Sequence, residues 1–178
     1  MCNQNTEFLN AQWVISQNDL KNKDMYSHFL NICENNNIKD VKERIDEMII
    51  LDFLIGNEDR HRGNFGILRN ADDLQWISVV PVFDNGNSLF FDRDNEELEN
   101  SGIDSLGKAF GDSNRLNLQL INYPEWYNSN KGKQIPDIVY DELKRNEHML
   151  PARLDAIMHI TRDRLKVFED TINRKLAK

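Results

Sequence analysis

Between Val41 and Gly86 the hydrophobic spacing changes character twice, and this stretch constrains the fold more than any other. Val41, Ile45, Met48, Ile49 and Phe53 step by three and four, which puts them on one face of a helix. Asn37 is suited to cap the start of that helix, and Gly56 supplies a left-handed stop just past its end. The chain then enters a wholly polar run, Asn57 to Asn64, followed by two β-rich runs, Asn64–Leu68 and Gln75–Phe83. The polar turn Arg69–Leu74 separates them, so they read as a hairpin. The second run ends at Pro81-Val82-Phe83-Asp84-Asn85-Gly86, where proline and Asn-Gly impose a sharp exit. A polar loop is thereby pinned between a buried helix and a hairpin.

The flanking segments are mostly helical in pattern. Met25, Phe29, Ile32 and Cys33 predict a helix from Met25 to Asn36, ended by the Asn-rich break at Asn35–Asn37. The acidic run Asp92–Glu99 and the Gly, Ser and Asp-rich Ser101–Asn114 read as loop or short helix. Arg115–Ile121 and Ile138–Lys144 have helical character, with Tyr123–Pro136, including Trp126 and Tyr127, as an irregular link. Pro151 suits a first helical turn, and Leu154, Ile157, Met158, Leu165, Phe168, Ile172 and Leu176 form a stripe that predicts one helix over Pro151–Leu176. The expected fold is mainly α with one β-hairpin (α+β), in a single domain spanning residues 1–178.

Composition excludes some classes of function. A formal net charge of −8 argues against direct nucleic-acid binding, which needs Lys and Arg to displace counterions from the phosphate backbone. No window approaches the roughly 18 apolar residues of a membrane span, and Met1–Asn10 lacks a secretory pattern. A cytoplasmic protein with no membrane partner is expected, with Cys2 and Cys33 reduced rather than paired. No C-x-x-C pair occurs and the four histidines are scattered, which gives zinc little support. His28 and His159 fall within helical patterns, and Trp13, Trp76 and Trp126 read as core or edge aromatics.

The polar loop and the Asp after the hairpin carry the chemistry. Phosphoryl transfer needs a carboxylate to orient the attacking hydroxyl and oxygen ligands to hold Mg²⁺ on the nucleotide phosphates. Asp59 is followed five positions later by Asn64, the interval of the protein-kinase H-R-D-x-x-x-x-N loop. Phe83-Asp84-Asn85-Gly86 then stands where a second metal-binding carboxylate belongs. Gly63 would let the backbone approach phosphates closely. Alone, either segment is an ordinary polar turn. In this order, with a hairpin between them, they favour a kinase-type site.

The run Asn57, Asp59, His61, Asn64 and then Phe83-Asp84 resembles the HipA-like atypical serine/threonine kinases, whose loop reads Asn-x-Asp-x-His-x-x-Asn before a Phe/Tyr-Asp element. Asp-Arg-His-x-x-Asn is also similar to the loop of lipid kinases of the phosphatidylinositol type, and Leu150-Pro151-x-Arg153-Leu154 adds to the HipA-like likeness. The resemblance implies a protein-kinase-like lower (C-terminal) lobe that uses ATP and Mg²⁺ and phosphorylates a protein Ser/Thr. Asp59 would be the catalytic base, with His61 beside the phosphates or bracing the loop. Asn57, Gly63 and Asn64 would lie on the cofactor side, and Asn64 and Asp84 would be the metal ligands.

One departure bears on function. No G-x-G-x-x-G or V-A-I-K pattern occurs, and about fifty-five residues precede the loop, too few for an upper lobe. The expectation is a lower lobe completed by a separate N-lobe or regulatory protein chain. A different class of function is a non-catalytic kinase-derived protein-binding module, serving a toxin–antitoxin or transcription-regulatory partner. A metal-dependent phosphoesterase built on the same oxygen ligands ranks third.

Overall fold

The computed structural model describes residues 5–17, 24–100, 104–121 and 127–177. Strand β1 (Thr6–Asn10) leads straight into α1 (Ala11–Ser16), and α2 (Met25–Asn35) and α3 (Val41–Ile55) follow. The chain continues through β2 (Gly66–Asn70), β3 (Trp76–Val79), α4 (Asn95–Asn100) and α5 (Asn114–Leu120). Three more helices, α6 (Ser129–Gly132), α7 (Ile135–Leu143) and α8 (Pro151–Leu176), complete it. The molecule is mostly helical with a small three-stranded antiparallel sheet, in the order β1-β2-β3.

The expected hairpin forms with shorter strands and gains a third. Residues Asn64 and Phe65 stay in the loop, and β3 stops at Val79 because Pro81 has no N–H to offer a ladder. The unforeseen strand β1 lies along β2 with Phe8 opposite Leu68 and Asn10 opposite Gly66. Gly66 is required there, since a Cβ would stand 2.0 Å from the Leu9 carbonyl oxygen. Across the other edge Ile67 pairs with Val79 and Arg69 with Trp76, with a register shift between Leu68 and Arg69.

Asn37 does not cap α3. It takes φ 70 and ends α2, donating its N–H to Glu34 O at 3.0 Å. Asparagine tolerates the left-handed region, so a break that looked like a start is a stop. Helix α3 begins at Val41 behind Asp40, which makes no side-chain cap, and ends as expected at Gly56, φ 64.

The apolar faces of α2, α3 and α8 share one core, with α3 packed against both of the others. Phe29, Cys33, Ile45, Ile49 and Phe53 are buried together with Leu165, Phe168 and Ile172. Each such side chain contributes on the order of 1.5–3 kcal/mol through burial. Phe29, Phe65 and Phe110 form an edge-on cluster, with Phe65 and Phe110 centroids 5.3 Å apart. A smaller cluster of Phe90, Leu98, Ile157 and Ile160 joins α4 to α8. Burial pushes the free Cys33 thiol up to about 12, which leaves it unreactive. Cys2, Tyr123 and Trp126 lie outside the described residues. Among the described residues, no helix is long and apolar enough to cross a membrane.

Candidate active site

Helix α3 buries two carboxylates, Asp46 and Asp52, and Asp52 lies at the end that leads into the polar loop. Asp52 follows Met48 and Ile49 by the helical interval, so the residue that should be apolar is charged, and it is 2% exposed. Its two oxygens receive Arg60 Nε at 2.9 Å and Nη2 at 3.1 Å, and the Asn57 amide donates to Oδ1 at 3.0 Å. Burial pushes the Asp52 carboxyl above its ordinary range, and the Arg60 and Asn57 donors oppose that push. A buried carboxylate thus anchors both ends of the turn that leaves the helix.

Arg60 then reaches past Asp52 to the segment after the hairpin. Its Nη1 donates to Asn64 O at 3.1 Å and to the Phe83 carbonyl, and its Nη2 also donates to Asn85 Oδ1. Residues on both sides of Asp84 are therefore gripped by a side chain of the Asp59 loop. Glu58 N–H donating to Asn87 O at 3.0 Å adds a second clasp. Behind the loop, Arg153 of α8 donates to Arg93 O at 2.7 Å and to the Phe90 carbonyl, which accounts for the arginine in the Leu150–Leu154 pattern.

Within this frame the expected site residues take different positions. Asp59 is half-buried, with its side chain 38% exposed, and Lys108 Nζ stands 2.7 Å from its Oδ1. That ammonium holds the Asp59 carboxyl below the usual carboxylate range, so it is ionised at neutral pH. Asn64 is buried and its amide nitrogen donates to Asp59 O at 3.1 Å. Its Oδ1 takes no hydrogen bond from the described side chains and is left as an oxygen donor. Asp84 is exposed and holds φ 55, in the left-handed region that aspartate, like asparagine, tolerates at turns.

Asn57 was expected on the cofactor side. It is wholly buried, its Nδ2 committed to Asp52 and its Oδ1 accepting from Asp59 N–H at 3.0 Å, so it braces the loop from within. Gly63 donates its N–H to His61 Nδ1 at 3.0 Å, and a Cβ there would meet that ring at 2.8 Å. His61 and Gly63 thereby form one tight, exposed turn. Among the described residues no group of three or more His, Cys, Asp or Glu side chains converges as a metal cage.

A second loop, 104–113, closes one side of the site. Asn114 donates to Asn57 O at 2.7 Å and to Ser105 Oγ at 3.0 Å, tying this loop to the first. Met25, Arg62, Lys108 and Phe110 line a cleft of about 370 Å³ beside it.

No protein-family model matches the chain. Over 79 residues, 44% of its length, the chain is 30% identical to the serine/threonine-protein kinase CtkA of Helicobacter pylori. The matched stretch spans 22% of that relative. The crystal structure of the Helicobacter pylori proinflammatory kinase CtkA superposes with a TM-score of 0.67, covering 98% of this chain and 73% of that one at 18% identity. The fold is that of a kinase. The likeness in sequence is confined to 79 residues, while the likeness in fold runs through 98% of this chain.

Sequence reasoning missed Asp52, Arg60, Lys108 and Asn114. A signal existed for the first: an Asp three and four positions beyond Ile49 and Met48 falls in the apolar register of α3 and demands a buried partner. Nothing local marked Lys108, which arrives from forty-nine positions away.

Proposed function

We propose that the chain is the lower catalytic lobe of an ATP- and Mg²⁺-dependent protein kinase of the HipA-like type. It transfers the γ-phosphoryl group to a Ser or Thr hydroxyl of a protein, and an upper lobe completes its nucleotide pocket. The observation that carries this reading is the Arg60 clasp, which bonds the Asp59–Asn64 loop to the residues flanking Asp84. A solvated polar turn and an unrelated tight turn would have no reason to share a buried arginine and its buried carboxylate.

Each residue then has a task. Asp59, ionised and half exposed, accepts the hydrogen bond of the acceptor hydroxyl and takes its proton. Asn64 Oδ1 and the Asp84 carboxylate hold the metal, a donor set that suits Mg²⁺, which keeps water and phosphate oxygens for its other positions. Bound there, Mg²⁺ neutralises charge on the phosphates. Asn57, His61 and Gly63 shape the loop, and Arg60 with Asp52 fixes its distance from Asp84. Phe8 and Phe83, stacked edge-on at 5.6 Å and both exposed beside the loop, give the nucleotide base an apolar shelf.

Calorimetric titration of Mg²⁺-ATP into the full chain tests the metal assignment: wild type binds weakly and Asp84→Ala does not. Equal affinity in the two would overturn it. Supplying an upper lobe should restore radiolabelled phosphate transfer, and Asp59→Asn should cut the rate by about 10²–10⁴-fold. Equal rates would remove Asp59 from the chemistry.

A further inference from the structure

We infer that Lys108 is a phosphoryl-binding catalytic residue, parked on Asp59 when the site is empty and transferred to the γ-phosphoryl oxygens when Mg²⁺-ATP arrives. The inference rests on the proposed phosphoryl-transfer role of the Asp59 loop and adds a residue from a different loop to it.

The placement of Lys108 is built into the fold. Phe110 N–H and Gly111 N–H both donate to Asn117 Oδ1, at 3.2 and 2.7 Å, and Leu106 bridges Ser113. Gly107 packs so closely on the start of α5 that a Cβ would lie 2.5 Å from Asn114 N. The Phe110 ring is locked among Tyr26, Phe29 and Phe65. Asn114, which holds Ser105, also holds Asn57 O, so one side chain sets the loop of Lys108 against the loop of Asp59. The backbone that presents Lys108 is rigid, while its side chain, 51% exposed, is free to swing.

Charge gives that swing a direction. Arg60 is spent on Asp52 and on carbonyls, and Arg93 on Glu58. Lys108 faces a single half-exposed carboxylate, and a triphosphate in the same place offers several charged oxygens to its three N–H donors. Its departure also uncovers Asp59 Oδ1 for the acceptor. In the transfer step the acceptor oxygen forms a bond to the γ-phosphorus, and the bond from that phosphorus to the β,γ-bridging oxygen breaks. The electron pair of that bond leaves with ADP, and the hydroxyl proton passes to Asp59. Lys108 forms no covalent bond; it offsets charge on the equatorial oxygens.

The test compares Mg²⁺-ATP and Mg²⁺-ADP by calorimetry on the full chain as wild type, Lys108→Met, Asp59→Asn and the double variant. Lys108→Met should weaken ATP by about tenfold or more and leave ADP within about twofold, because only ATP carries the γ-phosphoryl group. Asp59→Asn should tighten ATP by releasing the ammonium, and adding Lys108→Met should remove that gain. Equal loss for both nucleotides would make Lys108 structural and overturn the inference. No effect of Lys108→Met in the Asp59→Asn background would show that it acts only through Asp59, which also overturns it. A wild type that binds neither nucleotide defeats the phosphoryl-transfer reading itself, and the inference falls with it.

Discussion

Arg60 and Asp52 meet in the interior as a two-pronged ion pair, Nε to Oδ2 at 2.9 Å and Nη2 to Oδ1 at 3.1 Å, with side chains 1% and 3% exposed. Removing one partner strands the other charge away from water. Asp52→Ala should therefore destabilise the protein by about 3–5 kcal/mol, read from urea unfolding. Asp52→Ala/Arg60→Met should recover part of that loss, yet leave the Asp84 segment without its clasp and nucleotide binding abolished. A loss under about 1 kcal/mol for Asp52→Ala would mean that the pair is solvated in solution.

Gly56 is held at φ 64 with the Phe90 ring against it, so close that a Cβ would sit 2.7 Å from Cζ. Gly56→Ala meets both a left-handed backbone and a ring packed beneath Arg164, and should cost about 1–3 kcal/mol in thermal or urea unfolding. Phe90→Leu in the same chain relieves the collision but not the backbone, so the double variant should regain only part of the loss. Full recovery would show that the conformation of Gly56 carries no strain for alanine.

Asp24 caps α2 by accepting from Ser27 N–H at 2.8 Å, and that bond lowers its carboxyl below the ordinary value of 3.8. A depressed folded value means the cap stabilises the protein above the unfolded value and is lost as pH falls through the folded one. Asp24→Ala should cost about 1 kcal/mol at pH 7, and the gap to wild type should shrink below pH 4. A gap that does not change with pH would locate the effect in the backbone rather than in the carboxylate.

Much of the helical frame was legible because period alone specifies it: α8 runs over Pro151–Leu176 as its stripe required, and α3 ends at Gly56. Short elements were less so. Thr6–Asn10 has no turn signal of its own and becomes a strand only because β2 passes beside it. Asn37 could serve as a start or a stop, and only the path of the chain decides between them. The site divided in the same way. Asp59, Asn64 and Asp84 stand in a recognisable order, whereas Arg60 looked like one more charge in a polar turn until its partners, up to twenty-five positions away, came to meet it. The burial that makes Asn57 a brace depends on Asp52 and Asn114, which no local pattern connects to it.

Strand β1 pairs with β2 across roughly sixty residues, while β2 and β3 join through a short turn. Closing the long loop costs entropy before its ladder returns anything, so the hairpin forms early and the outer strand docks late. Gly66, where the two strands nearly touch, lies two positions beyond Asn64. The loop carrying Asp59 and Asn64 is thus framed on one side by an edge that assembles last. In pulse-labelled hydrogen exchange during refolding, amides bonded between β2 and β3 should gain protection before those bonded between β1 and β2, so that the hairpin is in place before the outer strand docks on it.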